Sequence, residues 1–175
     1  MRTPCEIMEE AIKLEKDGEE FYREQAGKAE NPLAAKTFGW LANEELKHRQ
    51  VFETAYATVQ DTDVCPTPEA LGHSHTLASE AVKEIFEAAR GDLEGEVTSD
   101  PQIGQVYVIA MRMERETIDL YRQRAEEAED ENERKLYEFL LAEERDHLNL
   151  LATTEEYLND PEYWYFKEEQ WIVTG

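Results

Sequence analysis

Leu41-Ala42-Asn43-Glu44-Glu45-Leu46-Lys47-His48 returns later in the chain as Leu140-Leu141-Ala142-Glu143-Glu144-Arg145-Asp146-His147. Both segments contain Glu-x-x-His. Residues three apart lie on one face of a helix, so each doublet aims a carboxylate and an imidazole the same way. Working outward, each doublet is preceded by a lone Glu and a Tyr: Glu15 and Tyr22, then Glu114 and Tyr121. A single shift of 99 residues carries 15 to 114, 22 to 121, 45 to 144 and 48 to 147. Seven residues complete nearly two helical turns, so each Tyr shares a stripe with its Glu. Glu15, Glu45, His48, Glu114, Glu144 and His147 are the ligand inventory of a dinuclear carboxylate site inside a four-helix bundle.

The apolar periodicity places these groups in the core. In the second long helix the inward series is Phe38, Leu41, Glu45, His48, Phe52; in the fourth it is Tyr137, Leu140, Glu144, His147, Leu151. The first runs Ile7, Ala11, Leu14, Gly18, Phe21, with Glu15 and Tyr22 alongside. The third runs Val106, Ala110, Met113, Thr117, Leu120, with Glu114 and Tyr121 alongside. Buried carboxylates are costly unless they are paired or bind metal. No Lys or Arg stands at these core positions, whereas two divalent cations would balance four carboxylates. A chain this acidic produces Glu-x-x-His by chance, but it has only four His, and two of them fall on the matched doublets.

The punctuation supports an all-α fold. Thr3-Pro4-Cys5-Glu6 is a capping box with Pro at the first helical position. Asn31-Pro32, Asp100-Pro101 and Asp130-x-x-Glu133 open the next three long helices. The turns at 28–32 and 127–131 are short, so helix pairs over 4–59 and 101–158 are antiparallel neighbours. The connection over 60–100 is too long for a plain loop. Its middle, Ser79 to Arg90, reads as a short amphipathic helix, which gives the long crossover of a ferritin-like bundle. Neither half buries its apolar face alone, so residues 1–175 are expected to be one domain built by internal duplication. The tail over 159–175, with Tyr163, Trp164, Tyr165, Phe166 and Trp171 after Pro161, is expected to fold back over the bundle or pack on another subunit.

The constellation, with the local strings Leu14-Glu15-Lys16-Asp17-Gly18-Glu19-Glu20-Phe21-Tyr22 and Ala142-Glu143-Glu144-Arg145-Asp146-His147, resembles the rubrerythrin-like branch of the ferritin-like superfamily. The resemblance covers residues 4–59 and 101–158. It implies that the six residues ligate two iron ions, with Glu45 and Glu144 bridging and Glu15 and Glu114 terminal. It implies a di-iron oxidoreductase that reduces hydrogen peroxide or reacts with O2, in a homodimer or larger homo-oligomer, as part of an oxidative-stress response. Two departures qualify it. Rubrerythrins proper carry a further Glu one turn after the third-helix ligand; Thr117 stands there, and Gly18 at the matching place in the first half. The six-ligand set is thereby more similar to a bacterioferritin ferroxidase centre, and iron oxidation and storage is the alternative function. The paired C-x-x-C motifs of a rubredoxin domain are missing too, so electrons would come from a separate donor such as a rubredoxin-type protein. Haem is not expected, because Leu46 and Arg145, not Met, follow Glu45 and Glu144. Mn or a mixed pair would suit the same ligands.

The formal charge of −23 argues against nucleic acid or an anionic membrane as partner. No apolar run of eighteen residues and no apolar signal core at the N-terminus are present, so the expected location is the cytoplasm. Cys5 and Cys65 have no C-x-x-C partners and read as spectator thiols. His73 and His75 read as exposed loop histidines or a weak second metal site. Tyr22 and Tyr121 either orient a ligand Glu of the opposite half through the phenol or pack in the core. Glu44 and Glu143 either accept an imidazole N–H or belong to the solvated face.

Overall fold

Two side-chain caps fix where the second helix of each pair begins. Asn31 Oδ1 accepts from the backbone N–H of Leu33 at 2.9 Å and of Ala34 at 3.1 Å. Asp130 Oδ1 accepts from Asn132 and Glu133, both at 2.9 Å. Each cap satisfies N–H groups that a helix start leaves without partners. A computed structural model of the chain describes residues 4–62, 64–72, 78–89 and 101–160, with side chains described from residue 8 onward in the first helix. The helices are α1 (Pro4–Lys28), α2 (Pro32–Thr62), α3 (Ala78–Ala89), α4 (Pro101–Glu127) and α5 (Glu131–Asn159). A short 3-10 turn over Glu69–Leu71 precedes α3 and ends at Gly72, whose φ of 75° is the left-handed conformation that glycine adopts without strain. No strand occurs among the described residues.

Cross-helix contacts give the directions. Tyr56 reaches Glu9 at 2.7 Å and Arg49 reaches Glu19 at 3.0 Å, so α1 and α2 run antiparallel. Arg124 meets Glu10 at 3.0 Å while Tyr22 bonds Glu114, so α1 and α4 are antiparallel too. His48 meets Glu144 and His147 meets Glu45, which sets α2 antiparallel to α5. It follows that α2 and α4 point the same way, and the chain must travel the length of the bundle between them. This is the ferritin-like arrangement expected from the sequence.

Two apolar layers sandwich the polar middle. One contains Leu33, Phe38, Leu41, Tyr107, Leu150 and Leu151; the other contains Met8, Val51, Phe52, Leu136, Tyr137 and Leu140. Truncating a buried Leu of either layer to Ala costs about 2–5 kcal/mol in such cores. Helix α3 lies on α2 and α5, burying Ile85 and Ala89 and setting Phe86 edge-on to Tyr157 at 5.0 Å between ring centroids.

Two expectations need adjustment. Helix α2 runs past residue 59 to Thr62, its last turns carrying Thr54, Thr58 and Thr62, whose hydroxyls donate to carbonyls four residues back. In α1 and α4 the buried stripe is rotated by one position. Met8, Ala11, Glu15, Gly18 and Tyr22 face inward, as do Tyr107, Ala110, Glu114, Thr117 and Tyr121, while Leu14, Phe21, Val106, Met113 and Leu120 are only half-buried. The carboxylates and phenols meet at the bundle axis, which turns the aliphatic side chains to its flanks. The box at Thr3-Pro4-Cys5-Glu6, the Asp100 cap, Arg90, His73, His75 and the aromatic tail from 161 lie outside the described residues or their described side chains.

Candidate metal centre

Helices α2 and α5 contribute to the middle layer from the face their sequence predicts, and α1 and α4 from the position beside it. Helix α2 brings Glu45 and His48 inward one turn apart, between Leu41 and Phe52. Helix α5 repeats this with Glu144 and His147 between Leu140 and Leu151. Helices α1 and α4 add Glu15 and Glu114. All six side chains are buried, with Glu144 at 0% and Glu45 at 4% exposure.

The imidazoles turn Nδ1 toward the carboxylates. His48 Nδ1 is 2.9 Å from Glu144 Oε1 and 3.5 Å from Glu15 Oε2. His147 Nδ1 is 3.1 Å from Glu45 Oε1 and 3.3 Å from Glu144 Oε2. The two rings lie nearly parallel, 5.1 Å apart with an interplanar angle of 13°. Glu45, His48, Glu144 and His147 each offer one donor atom, and all four atoms fall within 4.8 Å of one another. Yet both Nδ1 atoms, both Glu144 oxygens, Glu15 Oε2 and Glu45 Oε1 are buried without a hydrogen bond of acceptable geometry. These atoms are close but are not aligned as donor and acceptor. Buried polar atoms are otherwise almost always satisfied, so a cluster of lone pairs converging on one volume fits metal ions. Four carboxylates and two imidazoles match two divalent cations in charge and in ligand type.

The electrostatics of the protein groups alone are strained in the same sense. Burial and then the charges of Glu144 and Glu15 hold the Glu45 carboxyl well above the usual range. Burial, Glu144 and Glu45 do the same to Glu114. Burial would also raise Glu144, but His147 and His48 outweigh it and pull that carboxyl far down. Burial would lower both imidazoles, but the surrounding carboxylates outweigh it and raise them, His48 through Glu143, Glu144 and Glu15, and His147 chiefly through Glu144. A cation in this volume would take the place of protons that like-charged neighbours otherwise retain.

The tyrosines cross between the pairs. The Tyr22 phenol of α1 donates to Glu114 of α4, and the Tyr121 phenol of α4 donates to Glu15 of α1. Burial and the adjoining carboxylates raise both phenols well above 10.0, so each is a neutral donor. Both tyrosines also pack, Tyr22 stacking on Phe38 and Tyr121 lying tilted against Phe52 and Tyr137. Each phenol therefore both bonds a carboxylate of the opposite half and packs in the core.

Three features escaped the motif reading. Gly18 makes room for Glu45: a Cβ there would lie 3.3 Å from Oε2. A cleft of about 70 Å³ between α1 and α4, lined by Leu14, Gly18, Tyr22, Glu45, Glu114, Met113 and Thr117, leads to the carboxylates. Trp40 of α2 meets His147 edge-on at 5.7 Å. The i, i+4 relation of Gly18 to Leu14 and Tyr22 is a sequence signal for the first; the other two depend on tertiary packing. Of the outer carboxylates, Glu143 lies 4.0 Å from His48 Nε2, whereas Glu44 is held by Lys47 at 2.6 Å. Cys65 is free and buried, with its thiol raised to about 12 by burial and by Asp130 and Glu133, away from the six.

No helix among the described residues is long and apolar enough to cross a membrane. The family model described as rubrerythrin matches residues 6–155. No curated protein and no solved structure gives a match.

Proposed function

The chain belongs to the rubrerythrin family, and from that premise we propose that it is a non-haem di-iron oxidoreductase that reduces hydrogen peroxide with electrons from a separate protein donor. The observation that carries this reading is the buried convergence of Glu15, Glu45, His48, Glu114, Glu144 and His147 around donor atoms that lack partners. In this reading Glu15, Glu45, His48, Glu114, Glu144 and His147 would hold the two metal ions. When bound, the iron pair supplies the two electrons that H2O2 + 2 e⁻ + 2 H⁺ → 2 H2O requires.

The protein's part is to bind, orient and exclude. Apolar layers above and below keep bulk water from the site, which strengthens every charge interaction inside it. The α1–α4 cleft has room for a molecule of a few heavy atoms, and peroxide or O2 fits it. Tyr22 and Tyr121, as neutral donors, fix the free oxygens of Glu114 and Glu15 and keep those carboxylates from swinging into the cleft. Thr117 places no charge at the cleft, since its hydroxyl donates to Met113 O at 3.2 Å.

That same residue favours a second reading, iron oxidation and storage of the ferritin type, because Thr117 stands where a seventh carboxylate donor would otherwise be. One experiment separates the two: anaerobic Fe²⁺ titration of the metal-free protein with its size measured, followed by H2O2 or O2 in stopped flow. Saturation at two irons per chain in a small oligomer, with peroxide the faster oxidant, supports the peroxidase. Uptake of many irons in a large shell with O2 as effective oxidant supports storage. A protein that binds no iron refutes both.

A further inference from the structure

The cleft between α1 and α4 is walled mostly by groups that hydrogen peroxide leaves unchanged: carboxylates, an aliphatic chain, a phenol and a hydroxyl. Met113 is the exception, because a thioether sulfur is readily oxidised to the sulfoxide. In α4, turning Glu114 and Tyr121 to the bundle axis leaves Met113 on the flank. There it is half-buried and lines the same cleft as Glu15, Glu45 and Glu114. Neither Met113 nor Leu14, its counterpart by the offset of 99 residues, belongs to the two apolar layers. Both line the cleft, one from each helix. The other methionines with described side chains are placed differently. Met8 is 0% exposed, in the layer with Phe52 and Leu136, and Met111 is 8% exposed, in the layer with Tyr107 and Leu150. Cys65 is buried as well. Burial, then Asp130 and Glu133, hold its thiol at about 12, so almost no thiolate competes for peroxide at neutral pH.

We infer that Met113 is a modification site for peroxide entering this cleft, and that its sulfoxide loosens the hold of the centre on its metal ions. The sulfur attacks one peroxide oxygen, the O–O bond breaks, and the proton of that oxygen passes to the departing hydroxide: R–S–R′ + H2O2 → R–S(=O)–R′ + H2O. Sulfur gives up two electrons and peroxide takes them. The product is polar where the thioether was apolar. Among the described lining residues the neutral donors are already engaged, Thr117 with Met113 O and Tyr22 with Glu114, and metal-bound carboxylates can only accept. Water must therefore enter to solvate the new oxygen. It enters at the seam where few contacts hold α1 to α4, beside the carboxylates of the centre.

The inference rests on the proposed function for its oxidant and its metal ions, and the test tells the two apart. Full-length protein, both metal-free and loaded with Zn²⁺, which peroxide does not oxidise, is treated with H2O2. Tandem mass spectrometry of its peptides locates the added oxygen, with the Met1 peptide read separately. A chromophoric chelator times the loss of Zn²⁺ before and after treatment. Met113→Leu, a swap of similar volume, is the control, and far-UV circular dichroism checks its fold. The expected result is oxygen on Met113 at least about tenfold faster than on Met8 or Met111, and Zn²⁺ release from the oxidised chain at least about threefold faster. Met113→Leu releases Zn²⁺ at one rate before and after treatment. Methionine sulfoxide reductases, acting on the oxidised unaltered chain, restore the slow release without recourse to any variant. Oxygen arriving no faster on Met113 than on Met8, or Zn²⁺ release that its oxidation leaves unchanged, overturns the inference. Fewer than two Zn²⁺ per unaltered chain overturns the two-metal reading and the loosening with it. Fast oxidation of Met113 in a protein whose iron form consumes no peroxide sinks the peroxidase reading and leaves this inference standing.

Discussion

The α1–α2 pair and the α4–α5 pair each present two Glu, one His and one phenol at a fixed offset, yet matching residues do opposite work. Glu45 and Glu144 occupy equivalent places. Glu45 touches one imidazole and is pushed up by burial and neighbouring carboxylates; Glu144 touches both imidazoles and is pulled down by them. Gly18 and Thr117 are equivalent by the offset, but at Gly18 a Cβ would lie 3.3 Å from Glu45 Oε2, whereas Thr117 carries a full side chain. A repeated pattern of ligand types therefore does not make two equal half-sites. The environment of each donor is set by residues that the pattern does not include.

The sharpest way to break this comparison is to neutralise the two equivalent carboxylates one at a time in the metal-free protein. Glu144→Gln removes the counter-charge of two buried imidazoles and should lower stability by about 3–5 kcal/mol, as loss of one partner of a buried charge pair does. Glu45→Gln removes a charge that burial and the neighbouring carboxylates already disfavour, and should change stability by about 1 kcal/mol or less. Urea denaturation at neutral pH measures both, and equal losses would show that the two positions are interchangeable after all.

The pH dependence sharpens the same point. Glu45 and Glu114 bind protons more tightly folded than unfolded, so their contribution is complete below the unfolded carboxylate value and is lost as pH rises through their folded values. His48 and His147, also raised, act in the same direction from their unfolded value of 6.5 upward. Glu144 has the opposite sign, and its contribution disappears only in strong acid. Thermal melts of the metal-free protein should therefore show stability falling from mildly acidic to alkaline pH. Added Fe²⁺ or Mn²⁺ should reverse that slope, because it binds the deprotonated groups. A slope unchanged by Glu45→Gln together with Glu114→Gln would locate its origin elsewhere.

Gly18→Ala puts a methyl 3.3 Å from Glu45 Oε2 and should cost about 1–3 kcal/mol, the range for overpacking, with weaker metal binding. Thr117→Ala in the matching place should cost about 1 kcal/mol, the worth of one hydroxyl hydrogen bond. Calorimetric melts and metal titrations would reveal any reversal of this order. The smallest contrast is between the caps. Asn31→Ala and Asp130→Ala should each cost about 1 kcal/mol, and Asp130 a few tenths more because its charge also meets the helix dipole. Losses that are equal at low salt would remove the dipole from the account.

Much of this was legible beforehand, for identifiable reasons. Glu45 with His48 and Glu144 with His147 could be read because three-residue spacing fixes a shared helix face whatever the neighbours are. The helix starts could be read because Asn31 and Asp130 are side chains with one strong local use. The rotation of α1 and α4 could not. Periodicity gives Leu14, Phe21, Met113 and Leu120 the same claim to the core as Glu15, Tyr22, Glu114 and Tyr121, and only the meeting of four helices decides between them. The cleft and the contact of Trp40 with His147 are products of that meeting too. The fate of Glu44 was half-visible, since Lys47 stands one turn away, but that Glu143 faces His48 required the antiparallel register of α2 against α5.

Helices α1 and α4 touch each other far less than α1 touches α2 or α4 touches α5. What joins them across the interior is the reciprocal pair of phenol–carboxylate bonds, Tyr22 to Glu114 and Tyr121 to Glu15. The fasteners of that seam are thus also members of the candidate centre. Filling the centre and closing the seam become one event, and segments with few buried contacts open first under native conditions. Amide hydrogen exchange along α1 and α4 would then act as a gauge of occupancy, slow when the site is charged and fast when it is empty. The bundle would unzip along its own active face before it melts anywhere else.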